Sequence, residues 1–195
     1  MSRFALGFAL ATGLLCSAAF SQSNPPASQS TPGAKPAPAA SKASPSTEPP
    51  TPCLDTKTLD DLTKAIDSAI SGPADKDRTC LRQLFYLDSR LIPVGKNREG
   101  TYAPHVLTIE AWIEAMQKRG KTPFYEHQVK VKTENFGHIA HLWSTYEIRS
   151  EPEGKAVLRG INSIQAVFDG MRWRVTQIVW QAESPTEHIP EQYLP

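Results

Sequence analysis

Four polar side chains in the apolar last third of the chain are the residues best suited to contact a ligand. They are Tyr146, Arg159, Asn162 and Gln165. Because an unpaired polar group is costly to bury, such residues on an apolar sheet either satisfy one another or line a wet cavity. The planar guanidinium of Arg159 suits a carboxylate, and the Tyr146 hydroxyl is a donor. A purely structural network is the alternative.

Trp112 is a fifth candidate for ligand binding, as an aromatic wall. Tryptophans more often belong to a core or an interface, however, because aromatic side chains dominate burial. The structural alternative therefore applies to Trp112 as well.

Three titratable residues are candidates for catalysis, namely Asp88, His127 and His141. A carboxylate removed from water has a raised pKa and can act as a general base, although Asp88 also suits a turn or a cap. His138 and His141 are three apart and so lie on opposite strand faces, which argues against a shared metal site. The sequence has no phosphate loop, nucleophile elbow or Cys–His metal spacing. We therefore predict no metal and no cofactor.

Three helices are predicted in the first part of the folded region. Apolar residues at helical spacing between Asp55 and Ser71 form one face, and Gly72-Pro73 ends that helix. A second, shorter helix carries Leu81. Thr108 is a suitable N-cap for the third, which Gly120 closes.

The strands are predicted from alternation and turn residues. A small hairpin joins 86–93 to 102–106. Four consecutive antiparallel strands follow, at 124–134, 139–149, 156–168 and 171–181. Helices placed before a run of antiparallel strands indicate an α+β domain. In the strand at 156–168, period two puts Asn162 on one face and Arg159 and Gln165 on the other.

Four segments of this region resemble the nuclear transport factor 2-like superfamily, with its SnoaL-like and ketosteroid isomerase-like members, in a bacterial secreted branch. They are Phe85–Leu91, Gly137–Glu147, Arg159–Gln165 and Trp173–Val175. The resemblance covers roughly Leu54 to Pro190. It implies a cone-shaped, strongly curved antiparallel sheet with the three helices packed on the concave face, and a pocket between them. It also implies a homodimer through the outer face of the sheet.

The first 21 residues have the features of a cleaved signal peptide. A positive start precedes an apolar run that ends at Cys16, and small residues stand at Ala19 and Ser21. The run is shorter than the roughly 20 residues that span a membrane. A lipoprotein is the less favoured alternative, because Leu14-Leu15 precede Cys16. We therefore predict a periplasmic or secreted protein with no membrane attachment after cleavage.

Residues 22–52 are predicted to be a disordered linker. They are rich in Pro, Ala and Ser and have no aromatic or large aliphatic residue, so burial cannot offset the entropy of ordering them. Residues 53–195 remain as one folded domain. Its two cysteines, Cys53 and Cys80, flank the first helix in a compartment that permits a disulfide. Two buried thiols are the alternative, if a long helix holds them apart.

The charge of the chain argues against nucleic acid as a partner. Its 21 basic and 20 acidic residues nearly cancel, and no basic stripe interleaved with aromatics is present. Three functions stay open, because members of the superfamily include isomerases, dehydratases, polyketide cyclases and non-catalytic modules. They are a secreted module that binds a small molecule in the cone, a cofactor-free lyase or isomerase, and a dimeric assembly domain. A closed, packed cone would count against the first two.

Overall fold

The computed structural model describes residues 52–119 and 122–195. The predicted signal peptide, the linker up to residue 51 and the Gly120 helix end lie outside these residues. No helix in the described part of the chain has the length and apolar character needed to cross a bilayer.

Three helices precede or interrupt the first strands, as predicted. They are α1 (Leu59–Ile70), α2 (Thr79–Leu84) and α3 (Ile109–Gln117). Helix α1 starts at a capping box, because the Thr58 hydroxyl accepts from the Asp61 amide while the Asp61 carboxylate accepts from the Thr58 amide. That cap places the helix start four residues after the predicted one.

Six strands form one sheet in the order β2-β1-β6-β5-β4-β3. They are β1 (Phe85–Lys96), β2 (Tyr102–Pro104), β3 (Tyr125–Phe136), β4 (Ile139–Arg149), β5 (Ala156–Phe168) and β6 (Trp173–Ala182). The predicted hairpin is the antiparallel pair β1–β2, and the four predicted consecutive strands are β3 to β6.

The sheet is mixed, which differs from the fully antiparallel sheet that we expected. Strand β1 runs parallel to β6, with Leu91 opposite Ile178. The chain between these two strands passes through β2, α3 and three further strands. This long connection brings β6 beside β1 in the same direction, as a tight hairpin cannot.

The helices pack on one face of the sheet, which we call the inner face. Leu62 and Ile66 of α1 and Ile113 of α3 are buried in one core with Leu142 of β4 and Ile164 of β5. Register shifts interrupt the pairing of β3 with β4 and of β5 with β6. Such irregularities bend strands and increase their twist, which curves a sheet around its helices.

The outer face is partly covered by residues 183–195, which we call the C-terminal segment. Its Ile189 is only 8% exposed. The Tyr193 ring lies 6.0 Å from the Trp143 ring, and the Tyr193 carbonyl accepts a hydrogen bond from the Thr145 hydroxyl. Part of the face proposed for dimer contacts is therefore occupied by the chain itself.

Cys53 and Cys80 form a disulfide in the structure, with their Cα atoms 5.2 Å apart. The chain reverses after α1, and the start of α2 returns beside the residues that precede α1. Helix α1 therefore does not separate the two cysteines. The bond connects the N-terminal edge of the domain to α2.

Candidate functional site

Three buried polar side chains and one half-buried one, Gln128, lie together on the inner face, and we call them the inner polar cluster. They are Glu126, Gln128, Ser144 and Asn162. Asn162 Nδ2 donates to Glu126 Oε1 at 2.9 Å and to Gln128 Oε1 at 3.2 Å. Gln128 Nε2 donates to Glu126 Oε1 at 2.9 Å, and the Ser144 hydroxyl donates to Gln128 Oε1. The hydrogen-bonding groups of the cluster largely satisfy one another.

The strand pairing brings these residues together. Ser144 of β4 stands opposite Asn162 of β5, and opposed residues project from the same face. Glu126 and Gln128 are two apart in β3 and share a face for the same reason. The register shift that follows Gln128 sets their position relative to Ser144.

Glu126 is the most unusual titratable group of the cluster. It is 8% exposed, and it forms no ion pair with a cation among residues 52–119 and 122–195. Burial raises the pKa of Glu126 to about 7, the hydrogen bonds from Asn162 and Gln128 oppose this rise, and the nearby charge of Asp67 adds to it. The Glu126 carboxyl group can therefore gain or lose a proton near neutral pH.

A second acid, Asp67 of α1, faces β3. Burial raises its pKa to about 6, although it accepts hydrogen bonds from Gln128, whose backbone amide lies 3.0 Å from Oδ2. Ser71, just after α1, accepts from the Glu126 amide at 2.9 Å and donates to the Glu126 carbonyl at 3.1 Å. These contacts attach the end of α1 to the start of β3.

Tyr146 lies against Gly160 on the same face and is 2% exposed. A Cβ atom at position 160 would stand 2.4 Å from the Tyr146 hydroxyl oxygen, so only glycine leaves room for the ring. Burial raises the pKa of the Tyr146 phenol, and the nearby Glu126 charge adds to the rise. The phenol therefore stays neutral at physiological pH and can only donate or accept a hydrogen bond.

The inner face around these groups is closed. Five cavities of about 210 to 480 Å³ lie along the described residues. None of the five is lined by Tyr146, Glu126 or Asn162. Leu62, Ile66 and other side chains with no exposed surface fill the space between the helices and the sheet.

The four polar candidates from the sequence do not form one site. Tyr146 and Asn162 are buried on the inner face, as described above, whereas Arg159 and Gln165 lie on the outer face. The Arg159 guanidinium binds Glu183 of the C-terminal segment, with Nη2 to Oε2 at 2.9 Å. Gln165 is exposed. The grouping is wrong because consecutive odd and even positions of β5 project to opposite faces.

Trp112 of α3 is half-buried and packs with a guanidinium. Arg78 lies over its ring, 5.8 Å from the centroid. The Arg78 Nη1 donates to the carbonyls of Ala69 and Ile70 at 2.9 and 2.8 Å. Because those carbonyls end α1, this contact serves to cap a helix.

The three catalytic candidates are also separated from one another and from the inner polar cluster. Asp88 is exposed on β1. His127 stands opposite Glu147, and its buried Nε2 has no hydrogen-bond partner among the described residues. His141 Nε2 lies 3.0 Å from the Ser163 hydroxyl. No group of three metal-ligating side chains occurs in the part of the chain that the structure describes.

Four residues of this region were not predicted as site residues from the sequence, namely Asp67, Glu126, Gln128 and Ser144. Their signal was present, because Glu126 and Gln128 are polar residues at period two in an alternating strand. Their face of β3 is buried because α1 packs against it, and alternation along a strand does not show which of its two faces a helix will cover.

The largest of the five cavities lies between the outer face and the C-terminal segment, and we call it the outer cavity. Its volume is about 480 Å³. Its apolar lining residues include Val94, Trp143, Ile161, Val179, Trp180 and Ile189.

Polar contacts hold the C-terminal segment at the rim of this cavity. Glu187 Oε2 accepts from the Tyr102 hydroxyl at 2.7 Å and from Gln181 Nε2 at 2.6 Å. Glu183 Oε1 accepts from the Ile189 amide at 3.2 Å, while its Oε2 binds Arg159. The outer cavity thus has an apolar interior and a rim of paired polar groups.

No family model matches the chain, and no curated protein matches it. Solved structures do match. A nuclear transport factor 2-like protein of unknown function from Silicibacter pomeroyi is 17% identical, with 64% of this chain and 92% of that chain covered and a TM-score of 0.45.

Two other solved structures are similar at the same level. A protein of unknown function with a cystatin-like fold from Nostoc punctiforme is 9% identical over 67% of this chain and 96% of that one, with a TM-score of 0.49. A proposed ketosteroid isomerase from Shewanella frigidimarina is 17% identical over 61% and 90%, with a TM-score of 0.42. The solved structures that this chain is similar to thus include proteins described as nuclear transport factor 2-like and as proposed ketosteroid isomerases.

Proposed function

We propose that the folded domain is a secreted or periplasmic module that binds a small apolar molecule in the outer cavity without transforming it. The observation that carries this proposal is the mainly apolar lining of a space of about 480 Å³. Sites for small molecules are concave, mostly apolar spaces of roughly 300–1,000 Å³ with a few polar groups that fix orientation.

The composition of the rim supports a neutral ligand. Glu183 and Glu187 both line the cavity, and both are already paired with neighbouring side chains. A ligand carboxylate would meet two acids there, whereas an apolar molecule would displace water and leave the rim pairs intact. The affinity would come from burial of apolar surface, which gains roughly 25 cal/mol per Å² before the costs of association.

The outer cavity lies on the opposite face of the sheet from the pocket that we expected between the sheet and the helices. A pocket on the inner face would have to hold its ligand beside Tyr146 and Asn162, which are 2% and 4% exposed. To enter, a ligand would have to displace the Tyr146 ring and break the inner polar cluster. Burial of unpaired polar groups would then cost free energy.

A cofactor-free lyase or isomerase is the second candidate, and Glu126 is the observation that favours it. A poorly solvated acid beside an amide donor, with a neutral phenol nearby, is an arrangement suited to proton transfer. Catalysis at Glu126 requires an opening to solvent, and none of the five cavities supplies one.

We also propose a homodimer through the part of the outer face that the C-terminal segment leaves uncovered. Phe136 is 84% exposed there, and Ile139, which pairs with it in the β3–β4 hairpin, is 58% exposed. Exposed apolar neighbours of this kind mark interaction surfaces. Sedimentation equilibrium of wild type and Phe136→Asp tests this proposal: we expect a dimer for wild type and a monomer for the variant, and monomers in both would contradict it.

The binding proposal can be tested with N-phenyl-1-naphthylamine, an uncharged fluorescent probe of apolar sites. Val179 lines the outer cavity, so we expect Val179→Arg to abolish the fluorescence increase. Val106→Arg is the matched control, because Val106 is exposed and lines none of the five cavities. Circular dichroism verifies that both variants fold. Equal probe binding by both variants would refute the site.

A further inference from the structure

We propose that a second cavity, beside the Cys53–Cys80 disulfide, binds a small organic carboxylate. This disulfide cavity has a volume of about 360 Å³ and lies between α1, α2 and the residues that precede α1. It shares no lining residue with the outer cavity. The inference is therefore independent of the function proposed above.

One wall of the disulfide cavity is apolar. Ala65 and Ala69 of α1 contribute small side chains that leave space, and Leu84 of α2 and the two bonded cysteines complete the wall. Ala65 and Ala69 are one helical turn apart and so lie on the same face of α1. This wall suits the hydrocarbon body of a ligand.

The lining also has a polar part, which contains two cationic side chains, Lys76 and Arg172. Lys76 Nζ donates to the carbonyls of Ser68 and Ser71 at 2.5 and 2.9 Å. Because an ammonium group has three donors, one is left for a ligand. The Arg172 guanidinium makes no hydrogen bond to any residue within 52–119 or 122–195, and a guanidinium can bind a carboxylate through two parallel hydrogen bonds.

The residues that line the cavity carry a net positive charge, because Lys76 and Arg172 outnumber the one acid, Asp77. Neither Lys76 nor Arg172 forms an ion pair with a carboxylate in the described part of the chain. Arg78, behind Lys76, adds a third cation. Burial lowers the pKa of Lys76, and the charge of Arg78 adds to this effect. A bound anion would offset this repulsion between the cations.

Three acids lie near these cations, and each has partners. Asp77 lines the cavity, and its Oδ1 accepts from the Thr79 amide at 2.9 Å and from the Thr79 hydroxyl at 2.8 Å. Asp55 is influenced by the charge of Arg172, which lowers its pKa after the larger effect of Lys57. Asp55 lies 2.8 Å from the Lys57 ammonium group. The third, Asp169, is influenced by the charge of Arg172, and its Oδ1 accepts from the Met171 and Arg172 amides at 3.0 and 2.9 Å. None of the three acids forms an ion pair with Lys76 or Arg172 among the described residues.

The ligand class follows from the two walls together. The polar lining includes two cations, the Asp77 carboxylate that is paired with Thr79, and the neutral side chains of Ser68 and Gln83, while the alanines and the disulfide accept an apolar body. A monocarboxylate with an aromatic ring or a short branched chain satisfies both. An inorganic anion would satisfy the cations but would leave the apolar wall in contact with water.

The test is calorimetric titration of the purified protein with benzoate, phenylacetate and hexanoate, and with benzamide and sulfate as comparisons. We expect at least one carboxylate to bind, and benzamide to bind at least tenfold more weakly, a difference of about 1.4 kcal/mol. Sulfate binding as strong as the best carboxylate would mean an inorganic anion site and would overturn the proposal. So would the failure of all three carboxylates to bind at about 10 mM.

Two variants and one control variant locate the binding site. Arg172→Gln removes the charge, and we expect a loss of carboxylate affinity of tenfold or more. Arg98→Gln removes an exposed cation of the turn that follows β1, and its affinity should equal that of wild type. Ala69→Leu should also abolish binding because it fills the cavity, and its thermal unfolding shows whether the fold is kept. Wild-type affinity in Arg172→Gln would overturn the assignment.

Discussion

Asn162 of β5 donates a hydrogen bond of 2.9 Å to the carboxyl group of Glu126 in β3, although strand β4 lies between their strands. Ser144 of β4, which stands opposite Asn162, donates to Gln128 of the same cluster, and so the contacts span three strands. Glu126, which accepts from Asn162, is a buried acid with no cation beside it. The protonation of Glu126 is therefore coupled to the attachment of β3 and α1 to the sheet.

The first prediction concerns the dependence of stability on pH. The pKa of Glu126 is raised to about 7 and that of Asp67 to about 6, so the folded chain binds protons more tightly than the unfolded chain. The stabilisation is complete below pH of about 4 and is lost as the pH rises through 6 and 7. We expect the free energy of unfolding in urea to fall by on the order of 4 kcal/mol between pH 5 and pH 8.

Glu126→Gln is the variant that isolates the Glu126 contribution. The glutamine oxygen can still accept from Asn162, but the side chain does not titrate. The decrease of stability from pH 5 to pH 8 should therefore be smaller in the variant, with the remainder due to Asp67. An identical pH profile for the two proteins would show that Glu126 keeps its ordinary pKa.

The second prediction concerns the close contact of Tyr146 with Gly160. Gly160→Ala would place a methyl group 2.4 Å from both the Tyr146 hydroxyl oxygen and the Gln181 carbonyl. Overpacking of this kind costs about 1–3 kcal/mol. Gly95→Ala is the matched control, because nothing lies within 4 Å of its added Cβ. Chemical denaturation should separate the two, and equal stabilities would contradict the contact.

The third prediction concerns the C-terminal segment. Ile189→Ala removes a buried side chain from the outer face, which we expect to cost about 2 kcal/mol. It should also loosen the cover over Trp143, so that acrylamide quenches tryptophan fluorescence more strongly. Leu87→Ala is the control, since Leu87 is almost fully exposed. If quenching increases equally in both variants, the segment does not protect Trp143.

The fourth prediction concerns the disulfide. Alkylation of unreduced protein should leave the peptides that contain Cys53 and Cys80 unlabelled in mass spectrometry. Because the bond closes a loop with a sequence separation of 27, replacement of both cysteines by serine should lower the free energy of unfolding by roughly 3 kcal/mol. Labelling at both positions would show that they are free thiols.

The order of helices and strands could be predicted from the sequence because it depends on local signals. Thr108 accepts from the Ala111 amide as an N-cap, and the Asp169-Gly170 turn joins β5 to β6. The parallel pairing of β1 with β6 could not be predicted in this way. Alternation in Phe85–Lys96 shows that a strand exists, but it contains no information about which distant strand will lie beside it.

The candidate sites were predictable only in part. Period two separated Asn162 from Arg159 correctly, yet the choice of the buried face depends on where α1 packs. The outer cavity and the disulfide cavity are both lined in part by segments outside the predicted helices and strands. One lies under the C-terminal segment, and the other lies beside the residues around Cys53. Their lining residues come together only through long-range packing, which composition and spacing do not encode.

The parallel pairing of β1 with β6 also has a consequence for the order of assembly. Ser89 donates to the Val175 carbonyl across a sequence separation of 86, and contacts this distant slow folding because a long loop must close first. A ribosome that releases the chain from its N-terminus delivers α1, α2 and β1 well before β6. The first half of the domain must therefore wait, with one edge of β1 unpaired, until β6 has emerged.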